Sequence, residues 1–270
     1  MIAQSDSARR PTALITGASA GIGAALAREF AAHGYDLVLV ARRKDRLLAL
    51  ADELETRYRV TARAIEADLA RPEAPDEIYR QVWVRGIAVD VLVNNAGFGT
   101  HGPFAATDLQ TELQMLQVNV VALTHLTKLF LRDMLARRHG KVLNLASTAA
   151  FQPGPLMAVY YATKAYVLSL SEALATEVQG TGVTVTALCP GPTPTEFQSR
   201  ARIADTRLMR SPLVTDAATV ARVGYRALMA GKAVAVPGWT NRALTYAVRL
   251  APRRLVAHIV RQINARTSAR

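Results

Sequence analysis

Thr16-Gly17-Ala18-Ser19-Ala20-Gly21-Ile22-Gly23 is the segment that most strongly indicates how this chain folds. It follows a short apolar run, Ala13–Thr16, and precedes a pattern typical of a helix, Ala24–His33. Glycines allow a tight strand-to-helix turn and let backbone N–H groups approach a pyrophosphate at the helix start. The spacing is G-x-x-x-G-x-G rather than G-x-G-x-x-G, but its position between the first strand and the first helix predicts a dinucleotide site. The residues expected to bind there are Gly17, Ser19, Ala20, Gly21, Ile22 and Gly23.

Short apolar runs alternate with helix-length segments along the rest of the chain. The expected strands are Ala13–Thr16, Leu37–Val40, Arg63–Glu66, Val89–Val93, Val142–Ala146, Val183–Leu188 and Ala233–Val236. The expected later helices are Asp45–Tyr58, Glu73–Val84, Leu109–Arg137, Val159–Gln179 and Asp216–Ala230. Runs that are apolar throughout suit parallel strands buried on both faces. The alternation therefore predicts an α/β fold of the Rossmann type: a doubly wound, seven-stranded parallel sheet with helices on both faces, in a single domain.

No linker rich in glycine or proline and no internal repeat divides the chain. We expect one catalytic domain over residues 1–240, with a cofactor half at about 11–100 and a catalytic and substrate half at about 101–240. Residues 241–270 are predicted to form a basic, amphipathic, helical C-terminal extension. Three stretches break the alternation, and each follows the end of a predicted strand: Phe98–Thr107, Thr148–Ala158 and Gly191–Thr215. Open α/β sheets bind their ligands at the carboxyl ends of the strands.

The composition is that of a globular chain in a reducing compartment. Half of the 270 residues are hydrophobic, and the single cysteine, Cys189, excludes an intramolecular disulfide. The segment Met1–Pro11 lacks the apolar run of a signal peptide, and no run of about 18 apolar residues could span a membrane. We therefore expect a cytoplasmic location. No group of residues predicts a metal site.

The formal net charge is +12, and 28 of the 33 basic residues are arginine. The charges are scattered over predicted helix faces, with no stripe interleaved with aromatic residues, so nucleic-acid binding is not expected. Much of the excess lies in Asn241–Arg270, which holds seven arginines and no acidic residue. A soluble, arginine-rich surface accounts for most of the charge.

The residues after the second strand indicate which dinucleotide binds. Ala41, Arg42 and Arg43 follow Val40, and no acidic residue stands where an NAD site usually carries one for the ribose 2′-hydroxyl. A guanidinium matches a 2′-phosphate with charge-assisted hydrogen bonds. Arg42 and Arg43 therefore favour NADP(H) over NAD(H). Further cofactor contacts are expected after the third and fourth strands, from Asp68, Leu69, Asn95, Ala96 and Gly97.

Tyr160 and Lys164 lie four residues apart on a predicted helix, so both side chains project from one face. Beside a cationic cofactor ring, the ammonium favours the phenolate and lowers the pKa of the phenol from its usual ~10. Ser147, at the end of a neighbouring strand, could orient a carbonyl between them. Tyr161 has Ala165 four residues on rather than a lysine, so Tyr160 is the expected acid.

Taken together, these motifs resemble the short-chain dehydrogenase/reductase family from about Pro11 to Gly238. The resemblance rests on Thr16–Gly23, Asn94–Gly97, Asn119, the Ser147, Tyr160 and Lys164 set, and Pro190-Gly191 with Thr195. It implies that Tyr160 is the general acid and base and that Ser147 bonds the substrate carbonyl. It also implies that Lys164 bonds the nicotinamide ribose and helps lower the pKa of the tyrosine.

The same resemblance implies that Asn119 holds a water that relays protons to Lys164. Cofactor contacts are implied for Pro190, Gly191, Thr193 and Thr195, of which Thr195 would meet the nicotinamide carboxamide. Thr193 departs from the commoner β-branched apolar residue at its position. The expected reaction is NADPH-dependent reduction of a ketone or aldehyde, or its reverse. Two alternatives stay open: a non-catalytic NADPH-binding sensor or scaffold, and a 3-oxoacyl-carrier-protein reductase.

A bulky apolar carbonyl compound, such as a lipid- or steroid-like molecule, is the expected substrate. The residues that suggest it are Phe98, Phe104, Phe151, Pro153, Leu156, Met157, Phe197, Leu208, Met209 and Leu213. Lid arginines could attract an acidic carrier or carboxylate, or could be solvated: Arg200, Arg202, Arg207 and Arg210. The tail and Phe98–Phe104 resemble the branch of the family that includes hydroxysteroid dehydrogenases and 3-ketoacyl reductases.

The C-terminal extension carries an approximate helical stripe interrupted by Pro252, with arginines elsewhere on the wheel. The stripe consists of Leu244, Val248, Leu255, Ile259 and Ile263. Packing against its own subunit or a partner subunit is the favoured interpretation. Peripheral contact with an anionic membrane is the alternative. A homodimer or homotetramer is expected from the resemblance.

Overall fold

The computed structural model describes residues 9–201 and 213–265, and the side chains of residues 199 and 200 are not described. Seven strands form one parallel sheet in the order β3-β2-β1-β4-β5-β6-β7. The strands are β1 Thr12–Thr16, β2 Asp36–Ala41, β3 Ala62–Glu66, β4 Val91–Asn94, β5 Gly140–Leu145, β6 Val183–Leu188 and β7 Val234–Ala235. The predicted doubly wound fold is confirmed.

Helices cover both faces of this sheet. They are α1 Gly21–Ala32, α2 Lys44–Tyr58, α3 Ala74–Val84, α4 Leu109–Leu116, α5 Leu123–Ala136, α6 Ala158–Glu177, α7 Glu196–Ala201, α8 Ala217–Met229, α9 Trp239–Leu250 and α10 Arg253–Asn264. All five residues of β1 are buried, as expected of a strand covered on both faces. One core cluster packs Leu26 and Phe30 of α1 with Leu228 of α8. A second packs Ile78 of α3 with Leu126 of α5.

The order of the strands indicates at which edge of the sheet a ligand would bind. β1 pairs with β2 on one side and with β4 on the other, so the strand order reverses between β1 and β4. In open α/β sheets, ligands bind outside the carboxyl ends of the strands at such a switch point. The glycine turn after β1 and the Asn94–Gly97 segment after β4 therefore lie side by side.

The predicted continuous helix Leu109–Arg137 is interrupted. Between α4 and α5 the chain forms a π-helical segment, Gln117–Ala122, which contains Asn119. π-Helical turns widen the helix by one residue and occur frequently at functional sites. Apolar periodicity does not reveal such an insertion, so the sequence missed it.

The C-terminal extension forms two helices, α9 and α10, and Pro252 stands immediately before the second. Val256 and Val260 of α10 are buried in a cluster with Met157 and Tyr161. The described part of the extension thus packs on its own subunit. Leu255 of the predicted stripe is 52% exposed, whereas Val256 and Val260, which the stripe did not include, are buried.

Among the described helices, none combines the length and the apolar character needed to cross a lipid bilayer.

Candidate active site

The turn between β1 and α1 leaves room for a ligand where side chains would stand. Gly17 and Gly21 have φ angles of 66° and 56°, which residues with side chains rarely adopt. A Cβ atom on Gly17 would lie 2.8 Å from Nδ2 of Asn95, and one on Gly23 would overlap the carbonyl oxygen of Gly17. Only bare backbone fits this cradle, which suits a pyrophosphate at the start of α1. Most of the predicted turn residues line the adjacent cavity, namely Gly17, Ser19, Ala20, Gly21 and Ile22. Gly23 instead allows α1 to pack closely on the turn.

Arg43 crosses from the end of β2 to the glycine turn. Its guanidinium donates to Oγ of Ser19 at 3.1 Å and to Oε2 of Glu196 at 2.7 Å. Arg46 pairs with the other oxygen of Glu196. Arg42 also lines the cavity and is exposed. The predicted arginines are thus both at the cleft, and Arg43 with Ser19 forms a donor set that fits a 2′-phosphate.

The ends of β3 and β4 complete this half of the cavity, which Asp68, Leu69, Asn95, Ala96 and Gly97 line as predicted. Asn95 holds two strand ends together, because its Nδ2 donates to Thr16 O at 2.8 Å and its backbone N donates to Thr16 Oγ1 at 3.0 Å. Asp68 accepts from Ala70 N at 3.1 Å and so fixes its own turn. Asn95 therefore holds the start of the glycine turn in place and also lines the cavity.

Tyr160 and Ser147 face the same part of the cavity. The Tyr160 ring packs against Phe197, with ring centres 5.2 Å apart. Burial raises the pKa of Tyr160 above its ordinary value, and a hydrogen bond with Ser147 opposes that rise only in part. This rise in pKa is opposite to the lowering expected beside a cationic cofactor ring, because the effect of burial is larger than that of the hydrogen bond with Ser147. The phenol is accordingly protonated at neutral pH and can donate a proton.

Lys164 lies beneath this pair, 5% exposed. Its ammonium donates to the carbonyl of Leu145 at 2.7 Å and lies 5.8 Å from the centre of the Tyr160 ring. Burial lowers the pKa of Lys164 to about 8. The lysine is therefore charged below that pH, with its position fixed by the end of β5.

Asn119 connects the π-helical segment to the loop after β4. Its Oδ1 accepts from Phe98 N at 3.1 Å, and its Nδ2 donates to Phe98 O at 2.9 Å and to Thr163 Oγ1 at 3.1 Å. A Cβ atom on Gly97 would lie 3.0 Å from this Oδ1 and 3.6 Å from Nζ of Lys164. The Asn119 side chain thus anchors the loop beside Lys164, and its implied water relay stays a prediction.

The loop after β6 closes the cavity near the glycine turn. Pro190, Gly191, Thr193 and Thr195 all line the cavity, as the resemblance implied. Thr193 donates to Gly191 O at 3.1 Å, which satisfies its hydroxyl in a buried position. Thr195 lies over the turn, since a Cβ atom on Gly21 would meet its Cγ2 at 2.9 Å. Phe197 N donates to Thr195 Oγ1 at 3.2 Å.

The cavity has a volume of about 670 Å³ and continues from the cofactor half past Tyr160 into an apolar region. Of the predicted substrate residues, Phe98, Phe151, Met157, Phe197 and Leu213 line it. Phe104 is 67% exposed, and Pro153 and Leu156 are not among the described lining residues. The other substrate and lid predictions, Leu208, Met209, Arg202, Arg207 and Arg210, lie outside the described residues, as does the side chain of Arg200.

Sequence reasoning missed that the C-terminal helices form a wall of this cavity. Asn241 of α9 lines it and donates to Leu213 O and Pro237 O at 3.1 Å each. A Cβ atom on Gly191 would lie 2.6 Å from that amide. The apolar lining of this wall consists of Leu244, Ala247, Val248, Ala251, Val256, Ile259, Val260 and Ile263. The predicted stripe contained four of these residues but carried no signal of what they face.

The order of strands, the glycine turn and the Ser147, Tyr160 and Lys164 set define a dinucleotide-dependent class of α/β protein. A family profile described as short chain dehydrogenase matches residues 11–205. The 17-beta-hydroxysteroid dehydrogenase type 3 of Mus musculus is 34% identical over 183 residues, or 66% of this chain and 58% of that protein. The very-long-chain 3-oxoacyl-CoA reductase of Homo sapiens is 33% identical over 182 residues, again 66% of this chain and 58% of that protein. The chain thus spans little more than half the length of these relatives.

Solved structures match over more of the chain. A short-chain dehydrogenase from Sphingobium yanoikuyae in complex with NADPH is 35% identical, with a TM-score of 0.81 over 91% of this chain and 94% of that one. The bulky-bulky ketone specific alcohol dehydrogenase from Comamonas testosteroni is 31% identical, with a TM-score of 0.75 over 89% and 92%. This chain belongs to the short-chain dehydrogenase family. The predicted resemblance to the hydroxysteroid and 3-ketoacyl branch is confirmed by the relatives found.

Proposed function

We propose that this protein is an NADP(H)-dependent oxidoreductase that reduces a bulky apolar ketone or aldehyde to an alcohol, or catalyses the reverse. The observation that carries the proposal is one continuous cavity. At one end lie the glycine turn and Arg43, in the middle Ser147 and Tyr160, and at the other an apolar wall. The NADPH-bound neighbour and the ketone-specific neighbour support the same class of reaction.

Each residue of the set has a separate task in this proposal. A bound nicotinamide supplies or accepts the hydride when it lies in the cavity. Tyr160, kept protonated by burial, donates its phenolic proton to the developing alkoxide oxygen during reduction. Ser147 donates a hydrogen bond to the same oxygen and holds it in place. Lys164, fixed by Leu145 O, places a positive charge beneath them.

The test is a panel of ketones and aldehydes monitored by NADPH absorbance, with Tyr160→Phe as the diagnostic variant. Because a general acid contributes about 10²- to 10⁴-fold, turnover should fall by at least about 100-fold while NADPH affinity stays nearly the same. Tyr58→Phe, at the end of α2 and outside the cavity lining, is the control. Undiminished turnover in Tyr160→Phe would overturn the catalytic assignment.

Two other outcomes would redirect the proposal. Tight NADPH binding with no oxidation across the panel would favour a sensor or scaffold. Turnover only of 3-oxoacyl groups attached to a carrier protein would favour a 3-oxoacyl-carrier-protein reductase. The panel therefore includes a 3-oxoacyl carrier substrate beside the free ketones.

A homodimer or homotetramer stays part of the proposal. Apolar side chains on α4, the π-helical segment and α6 are solvent-exposed in the single chain: Leu109 63%, Leu113 48%, Val121 48% and Tyr166 40%. Burying such a patch in a partner would stabilise an assembly. Light scattering after size exclusion tests it, and a monomer at micromolar concentration would contradict it.

The last part of the proposal is a cytoplasmic location with peripheral contact between the C-terminal helices and a membrane. Trp239, Tyr246 and Leu250 are 81%, 56% and 89% exposed, and no acidic residue follows Asn241. Apolar and basic side chains together favour an anionic lipid surface. Sedimentation with anionic liposomes should fall when the arginines of α9 and α10 are replaced by glutamine, and unchanged sedimentation would contradict the contact.

A further inference from the structure

Tyr161, the neighbour of the proposed acid, forms part of a buried junction with the last turn of α10. Its hydroxyl donates to Oδ1 of Asn264 at 3.3 Å, and its side chain is 6% exposed. Its ring lies on the backbone of Gly154, where any Cβ atom would overlap it. The ring is thus held on one side by a loop and on the other by α10.

Asn264 binds two further segments at the same point. Its Nδ2 donates to Pro155 O at 3.0 Å, and its own carbonyl accepts from Nε2 of His101 at 2.7 Å. A carbonyl can only accept, so this nitrogen of His101 carries the hydrogen. Asn264 is 1% exposed. Three segments, the loops after β4 and β5 and the helix α6, therefore meet the end of α10 through one asparagine.

The orientation that this junction gives α10 determines one wall of the cavity. Val256, Ile259, Val260 and Ile263 of α10 line the apolar region beyond Tyr160. At the other end, α10 is connected to α9 only through Ala251-Pro252. The hydrogen bonds of Asn264 at its end and the burial of Val256 and Val260 along its length hold α10 against the cavity.

We propose that Tyr161 and Asn264 are positioning residues that fix α10 as the wall against which the far apolar end of the substrate packs, and so select ketones with an extended apolar part. The proposal rests on the proposed function. A long ketone reaches α10 and loses packing when α10 shifts. A short ketone held by Ser147 and Tyr160 depends less on that wall. Selectivity for length, rather than overall activity, is the property that the junction sets.

The test compares full-length wild type, Tyr161→Phe, Asn264→Ala and the double variant on 2-heptanone and 2-tridecanone. Each single variant should lower the ratio of kcat/KM for the long ketone over the short one about ten-fold, through KM, as expected for a lost buried hydrogen bond. The double variant should be no worse than Asn264→Ala alone, because both changes break the same bond. Gln262→Ala, at an exposed position on α10 that does not line the cavity, is the matched control.

Two readouts do not require turnover. Hydrogen–deuterium exchange across residues 253–264 should increase at least about ten-fold in both single variants. Displacement of Nile red by 2-tridecanone should need more ketone in them than in wild type. An unchanged length ratio, or an equal loss for both ketones, would overturn the inference even with an active enzyme. The proposed function fails only if wild type reduces no member of the ketone and aldehyde panel. If wild type reduces neither of these two ketones, dye displacement that is identical in all four proteins overturns the inference separately.

Discussion

The Lys164 ammonium lies 5.8 Å from the centre of the Tyr160 ring and donates a 2.7 Å hydrogen bond to the carbonyl of Leu145. The two side chains stand on one face of α6 and both line the cavity, the tyrosine with its ring against Phe197. The lysine instead joins α6 to the end of β5. Lys164 thus contributes a positive charge at a fixed position, and that charge is present only while the ammonium is protonated.

Binding of NADPH should weaken as the pH rises through about 8. Burial lowers the pKa of Lys164 to about 8, so the ammonium is present below that pH and is lost above it. The resemblance implies that this ammonium donates a hydrogen bond to the nicotinamide ribose. A hydrogen bond from a charged group is worth about 1.5–3 kcal/mol, so we expect at least about a ten-fold increase in the Kd for NADPH between pH 7 and pH 9.5. Fluorescence titration of NADPH measures it.

Two lysine variants distinguish this cause from a general effect of pH. Lys164→Met should bind NADPH weakly at both pH values and lose the pH step. Burial also lowers the pKa of Lys141, which lies on β5 and is not among the cavity-lining residues. Lys141→Met should therefore keep the step. A step that persists in Lys164→Met would contradict the assignment.

Replacing Arg43 by alanine should weaken NADPH far more than NADH. Its guanidinium lies 3.1 Å from Ser19 Oγ at the cofactor end of the cavity, where a 2′-phosphate would sit. We expect at least about a ten-fold rise in Kd for NADPH and less than about a two-fold rise for NADH. Isothermal titration with both nucleotides measures the difference.

The companion variants are Arg42→Ala, at the exposed neighbour, and Arg57→Ala, at the far end of α2. Arg42→Ala should show the same preference with a smaller effect, because its side chain is exposed. Arg57→Ala should leave the ratio of the two affinities as it is in wild type. Equal weakening of NADPH and NADH by Arg43→Ala would count against a 2′-phosphate site.

Gly23→Ala should destabilise the protein and abolish dinucleotide binding. The added Cβ atom would overlap Gly17 O and lie 2.5 Å from Asn95 Nδ2, so the turn and α1 must separate. Overpacking of this kind costs about 1–3 kcal/mol, which thermal unfolding detects. Gly34→Ala is the control: its Cβ would meet nothing within 4 Å, although its φ is +78°. It should lower stability by about 1–2 kcal/mol from backbone strain alone and leave NADPH affinity intact. Normal binding by Gly23→Ala would refute the packing argument.

Asn119→Ala should lower the free energy of unfolding by about 2–3 kcal/mol, because it leaves the backbone N–H and C=O of Phe98 without their partners. Urea unfolding measures the loss. Gln117→Ala lies in the same π-helical segment and is the matched control. Within the described part of the chain the Gln117 amide nitrogen has no hydrogen-bond partner, so its removal should cost less. Equal costs for the two variants would show that the Phe98 contacts contribute little.

Sequence reasoning located the fold and the set of candidate residues because their signals are local. Strand runs such as Val183–Leu188 coincide with the observed β6, since a strand buried on both faces must be apolar throughout. The glycine turn and the Tyr160/Lys164 spacing are likewise legible in the order of residues. Their roles stay predictions, although the structure brings them to one cavity.

Other features were not legible for identifiable reasons. The π-helical turn at Asn119 adds a residue without breaking the apolar pattern, so a continuous helix was predicted. The stripe assigned to α10 did not include its buried residues Val256 and Val260, although its members Ile259 and Ile263 line the cavity. Helical periodicity gives the existence of an apolar side but not the surface that it meets. The direction of the Tyr160 pKa depends on burial, which a sequence does not show.

The doubly wound sheet, the turn after β1 and the residues at the strand ends were predictable from the order of residues, because each depends on neighbours within a few positions. The wall that the C-terminal helices form in the cavity and the contact of Tyr161 with Asn264 are visible only in the folded chain. Those two residues are 103 positions apart. Their contact exists because α6 and α10 pack against the same loops, and that is a property of the folded surface rather than of either segment.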